Sequence, residues 1–216
     1  MTPEEQQQAI PARVSIMARV VSAFSYALPA LGAAVSAMLL LGVLRAMRNA
    51  EGAGIGAVAA GISEANLAIL LTLYLAIFVG AAGVVIGLVR LFTTTTTASP
   101  SALYYLIAGI LGLVPMFALW YAQSLLLDAI FPQSTGAGVS EVAGQITLFS
   151  IVAIVLGGVS ILIVMASSFL PLPAILWGKR KWAPLIALLV MESAIIAMTV
   201  VYHLRTAWLY SSFRDY

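Results

Sequence analysis

The sequence predicts an all-α protein: a polytopic transmembrane helical bundle of about five spans, with the N-terminus inside and the C-terminus outside. Composition is the first reason: 62% of the 216 residues are hydrophobic and 8% are charged, with a mean hydropathy of +1.08. Soluble domains carry roughly 25% charged residues, so a chain this poor in charge cannot cover a water-facing surface. The second reason is arrangement. Charges sit in clumps between apolar runs, several of them longer than the roughly 20 residues a helix needs to cross a bilayer.

The N-terminal stretch Met1 to Ala12 holds Glu4, Glu5 and a run of glutamines, without the basic start and short apolar core of a secretory signal, so it reads as a retained polar leader. The first apolar stretch runs from about Val20 to Leu44 and ends at Arg45 and Arg48, with Pro29 bending it or marking its first turns. After a loop of small residues, Asn49 to Gly56, a second stretch covers about Val58 to Phe92. That is more than a bilayer requires, so it tilts or projects beyond the membrane. Residues 93–101, threonine-rich and containing Pro100, form a low-complexity linker, because β-branched residues and proline disfavour helix continuation.

The third span is about Ala102 to Leu127, followed by a turn-rich segment from Phe131 to Gly136, and the fourth is about Val142 to Leu170, closed by Pro171 and Pro173. The basic turn Lys179-Arg180-Lys181 leads to the fifth span, about Pro184 to Leu204. Trp208, Tyr210, Phe213 and Tyr216 make an aromatic tail suited to a membrane interface. With the N-terminus inside, Arg13, Arg19, Arg90, Lys179, Arg180 and Lys181 fall inside, against Arg45, Arg48, Arg205 and Arg214 outside. This is the expected positive-inside bias.

Several function classes are excluded or disfavoured. The chain has no cysteine, hence no disulfide, thiolate metal site or cysteine nucleophile, and its single histidine rules out a His-rich metal site within one chain. A net charge of +2 with scattered basic residues does not suit nucleic acid. There is no phosphate loop, nucleophile elbow or dinucleotide fingerprint. Neither enzymatic catalysis nor a cofactor is expected.

Glu64 lies about six residues into the second stretch, in Val58-Ala59-Ala60-Gly61-Ile62-Ser63-Glu64-Ala65. An ionisable residue inside a span is costly and marks a candidate functional site, here for a proton or cation. The alternative is a shallow carboxylate that reaches water or bonds a neighbouring helix.

That run, preceded by Gly42-Val43-Leu44-Arg45-Ala46-Met47, resembles the helix pair of the MotA/TolQ/ExbB proton-channel family over roughly Pro29 to Leu91. The family pattern is a first helix ending in a Gly-Thr-Val-Trp-Gly-Ile type motif, a loop, and Val-Ala-Pro-Gly-Ile-Ala-Glu-Ala opening the next helix. The resemblance implies a homo-oligomer, a pentamer in that family, enclosing helices of a single-span acidic partner and coupling ion flow to mechanical work. It also implies a bacterial inner-membrane location, and it puts Glu64 at the family's membrane glutamate. Residues 1–92 would then be a polar leader plus the two-helix core, and residues 102–216 three further spans and the tail. The pattern is broken where the family's pore threonines fall on Leu39 and Ile69, and where its later proline falls on Phe78. Thr72 and Asn66 could restore polarity, but at about 100° per residue Thr72 lies about 80° around the helix from Glu64, and Asn66 nearly opposite. Interhelical hydrogen bonding is the simpler role for both.

Gly80, Gly83 and Gly87 give the second span a small-residue face that permits close helix packing. In the fifth span Glu192, Thr199 and His203 fall within about 20° of one face, with Thr206 continuing the stripe. They could form a proton-relay seam. The simpler alternative is a polar seam in which Glu192 bonds Gln145 or Ser160 of the fourth span and His203 sits at the headgroups. Two readings of the whole chain follow: a subunit of an oligomeric proton- or ion-driven channel or motor, or a non-conducting structural subunit of a larger membrane assembly.

Overall fold

A computed structural model describes residues 3–49, 55–93, 102–130, 139–169 and 182–213. They form five helices: α1 (Pro3–Asn49), α2 (Ile55–Thr93), α3 (Ala102–Ile130), α4 (Val139–Phe169) and α5 (Ala183–Phe213). Each contains one stretch long and apolar enough to cross a membrane: Ala23–Met47, Val58–Val89, Leu106–Asp128, Val142–Ser167 and Leu185–Trp208. At about 1.5 Å per residue even the shortest exceeds the roughly 30 Å hydrocarbon thickness. The described residues thus form an all-helical multi-pass bundle.

Several boundaries differ from the sequence expectation, among them the expected loop from Asn49 to Gly56, where Asn49 ends α1 and Ile55 and Gly56 open α2. The leader is helical from Pro3, so Pro29 lies well inside α1. Thr93, the expected first linker residue, is the last residue of α2; a single β-branched residue at a helix end costs little. Helix α5 continues to Phe213, carrying Trp208 and Tyr210 with it. The turns expected at Phe131 to Gly136 and Lys179 to Lys181 lie outside the described residues.

Close contacts set direction and depth. Gly32 lies against Thr72, Gly61 against Val43 and Gly83 against Val21, so α1 and α2 are antiparallel. Gly109 meets Tyr26 and Gly112 meets Ala30, making α3 parallel to α1. Ser160 reaches the Ala108 carbonyl while the Phe149 ring meets Tyr121 edge-on, so α4 runs against α3. Gly80, Gly83 and Gly87 face Glu192, Leu188 and Leu185 in turn, so α5 runs against α2. The chain therefore weaves up and down. The C-terminal ends of α1, α3 and α5 share one end of the bundle, called below its C-terminal end.

Helix α1 is the central element, packed on α2, α3 and α4, while α5 lies across α2 and α3 and barely meets α1. Ala30, Ala33 and Ala37 are fully buried along it. A Cβ at Gly112 would stand 3.0 Å from the Ala30 nitrogen, and one at Gly157 2.9 Å from the Ala30 carbonyl oxygen. Small residues on three helices thus bring backbones together, the contact that membrane helices use in the absence of a hydrophobic driving force. The segments before and after residues 94–101 share one core, in which Leu40, Ile69, Leu73, Met116, Ile146 and Ile195 are fully buried. Outward faces carry large apolar side chains such as Leu71, Phe78, Phe117 and Leu162, as lipid contact requires.

Candidate functional site

Glu192 sits on the face of α5 that looks at α2 and past it to α1. Its carboxyl rests on Gly80, where any Cβ would overlap it, and Ser25 Oγ donates a hydrogen bond to Oε1 at 2.9 Å. Both Ser25 and Glu192 are buried. The site thus needs three helices: α5 for the carboxyl, α2 for the missing side chain and α1 for the donor. The expected partners on α4 are not used. Ser160 donates to the Ala108 carbonyl at 2.6 Å and Gln145 is exposed. The physical reason is the helix arrangement: α5 packs on α2 and α3, whereas α4 packs on α3 and α1.

The rest of the α5 stripe also faces α2. Thr199 is buried and gives its hydroxyl to the Ile195 carbonyl at 2.8 Å. His203 is exposed, with Nδ1 3.4 Å from the Tyr74 hydroxyl. The stripe shares a face, but Thr199 spends its proton on the backbone of its own helix and makes no link between Glu192 and His203. Thr206 does the same toward Tyr202.

The residues singled out around the α2 glutamate point three ways. Glu64 is exposed on the outside of the bundle. Thr72 is half-buried against Gly32, its hydroxyl bonded to the Ala68 and Ile69 carbonyls at 3.1 and 2.8 Å. Asn66 is wholly buried, and neither atom of its amide has a hydrogen-bond partner in the protein. Gly80, Gly83 and Gly87 face α5 within the same chain, so they serve packing inside the bundle.

Other polar residues escape a motif search. Ser36, Gln123 and Ser150 are wholly buried, and their side-chain polar atoms, like those of Asn66, have no partner. Arg205 is half-buried on α5, its Cζ 5.2 Å from the centre of the Trp120 ring, with Nε and Nη2 unbonded. One helical turn earlier, Tyr202 donates to the Met116 carbonyl at 2.6 Å. Their one sequence signal is a polar letter inside an apolar run. Among the described residues no three His, Cys, Asp or Glu side chains gather as a metal site would require.

Fold and composition together define a multi-pass helical membrane protein with polar groups sealed between its helices. Comparison of the chain with protein-family models, with curated proteins and with solved structures finds no match.

Proposed function

We propose that this chain is an integral membrane subunit of an oligomeric proton- or ion-driven channel or energy-transducing assembly, with Glu64 as the ion-handling carboxylate. The observation that carries this reading is where Glu64 stands. It lies six residues inside the α2 span, about 9 Å along the helix, on a face otherwise made of exposed Leu67, Leu71, Tyr74 and Phe78. A carboxylate turned toward acyl chains is costly, and ionisable groups in spans face a protein interior or an aqueous cavity. A neighbouring subunit, or a pore between copies, supplies that setting. The resemblance of the α1–α2 pair to MotA/TolQ/ExbB proteins supports the same placement, in a bacterial inner membrane with a homo-oligomer around an acidic single-span partner.

The test is proton flux driven by a pH gradient in liposomes holding the assembly purified with its partners. Glu64→Gln is expected to abolish most of it, and undiminished flux would overturn the assignment.

A second reading, a non-conducting structural subunit, has its own observation. Thr72 and Asn66 are turned away from Glu64, so neither restores the polarity of the missing pore threonines on its face. Counting copies by native mass spectrometry separates the two. A ring of copies around partner helices favours conduction, and a single peripheral copy favours a scaffold.

A further inference from the structure

The buried polar side chains divide by depth. Glu192, Ser25, Ser160, Ser167 and Thr199 are all hydrogen-bonded within the protein. Ser36, Asn66, Gln123 and Ser150 are as deeply buried and make no such bond. Depth is read from the level where Gly32 meets Thr72 and where Gly112 and Gly157 flank Ala30. At about 1.5 Å per residue, Ser36, Asn66, Ser150 and Gln123 lie about 6, 9, 10 and 16 Å from it, all toward the C-terminal end. The four occupy one slab about 10 Å thick, contributed by α1, α2, α4 and α3.

Each also continues the face by which its helix touches its neighbours. Ser150 is within about 20° of Gly157, which abuts α1, and Gln123 within about 20° of Met116, whose carbonyl binds α5. Ser36 and Asn66 lie within about 40° of Gly32 and Gly80 respectively, which abut α2 and α5. All four therefore point into the bundle. Two primary amides and two hydroxyls offer both donors and acceptors and carry no charge. Such a set, left unpaired in hydrocarbon, costs far more than one that is bonded.

We propose that the C-terminal half of the bundle holds an internal hydrated layer, in which water molecules bond Ser36, Asn66, Gln123 and Ser150. Arg205 stands at the same depth beside Trp120, with two buried guanidinium nitrogens that also lack a bond within the protein. Water fits the mixed donors and acceptors, since a buried water makes about three hydrogen bonds to such groups. The layer ends at Ala33, Leu73 and Ile195, all fully buried, which close the bundle between it and Glu192. The inference stands apart from the role given to Glu64.

The chain contains no cysteine, so single cysteines can be introduced without background. Methanethiosulfonate ethylammonium reacts with ionised thiols in contact with water. In proteoliposomes, Ser36→Cys, Ser150→Cys and Gln123→Cys are expected to be labelled at least 10-fold faster than Ser25→Cys and Ala76→Cys, which are buried toward the other end. Equal, slow labelling of all five, read by intact mass, would overturn the layer. A second measurement does not depend on reagent access: in a dry interior, replacing an unbonded amide by Leu stabilises. Asn66→Leu and Gln123→Leu are expected to lower the melting temperature in detergent, and a rise in both would refute the hydration.

Discussion

The two halves of the bundle handle buried polarity in opposite ways. Toward the N-terminal end a carboxyl is set on a glycine and given a serine donor, and Ser160 finds a carbonyl across the helix interface. Toward the C-terminal end two amides and two hydroxyls are enclosed at similar burial with no protein group to bond. The difference is one of geometry more than of residue type, because serine occurs in both halves. Where Gly80, Gly109, Gly112 and Gly157 draw the helices together, donors reach acceptors directly. Past that level α3 buries bulkier groups, Leu119 and Leu126, and the polar side chains find no bond within the protein.

The largest expected effect comes from closing the N-terminal arrangement. Gly80→Val places a branched side chain where the Glu192 carboxyl rests, and should cost about 3 kcal/mol, the upper range for overpacking a core. Unfolding in mixed micelles reads it directly, and an unchanged midpoint would mean that the carboxyl has another place to lie. Ser25→Ala comes next, because it strips a buried carboxyl of its donor. A loss of about 2 kcal/mol is expected, and Ser25→Thr, which keeps a hydroxyl, should recover most of it.

At the boundary between the halves, Tyr202→Phe removes the bond to the Met116 carbonyl and nothing else. About 1 kcal/mol should be lost, and a larger effect would mean that the α3–α5 seam supports the layer beyond it. The smallest effect belongs to Ser193→Ala on the lipid-facing side of α5. Its hydroxyl is bonded to the carbonyl of Leu189 in its own helix, so the change should stay within about 0.5 kcal/mol.

The spans were legible because hydropathy is a one-dimensional property. Val58 and Val142 open their spans where the apolar runs begin, and all five runs correspond to helices. Helix neighbourhood is not written in that signal. Nothing in the run around Ser160 says that α4 packs on α1 and α3, away from α5, so spacing alone does not lead from Glu192 to Ser25. The face shared by Glu192, Thr199 and His203 was readable from spacing alone, but not that Thr199 turns its hydroxyl to Ile195. Likewise the angular separation of Glu64, Thr72 and Asn66 followed from helical periodicity. That Asn66 would be sealed inside and Glu64 left outside depended on which side of α2 meets the rest of the chain. Gln123 and Ser150 carried too little local pattern to stand out. Their importance arises from four helices meeting at one depth.

The bond between Ser25 and Glu192 has a consequence for how the protein is made. The two residues are 167 positions apart. At roughly 5–20 residues per second, on the order of ten seconds or more pass between the synthesis of the donor and the arrival of its acceptor. From the completion of α2 until α5 is made, the notch at Gly80 stays unfilled. A nascent chain stalled before α5 therefore carries an open groove that a chaperone or quality-control protease could read, and α5, made after the other four helices, is the one that closes it.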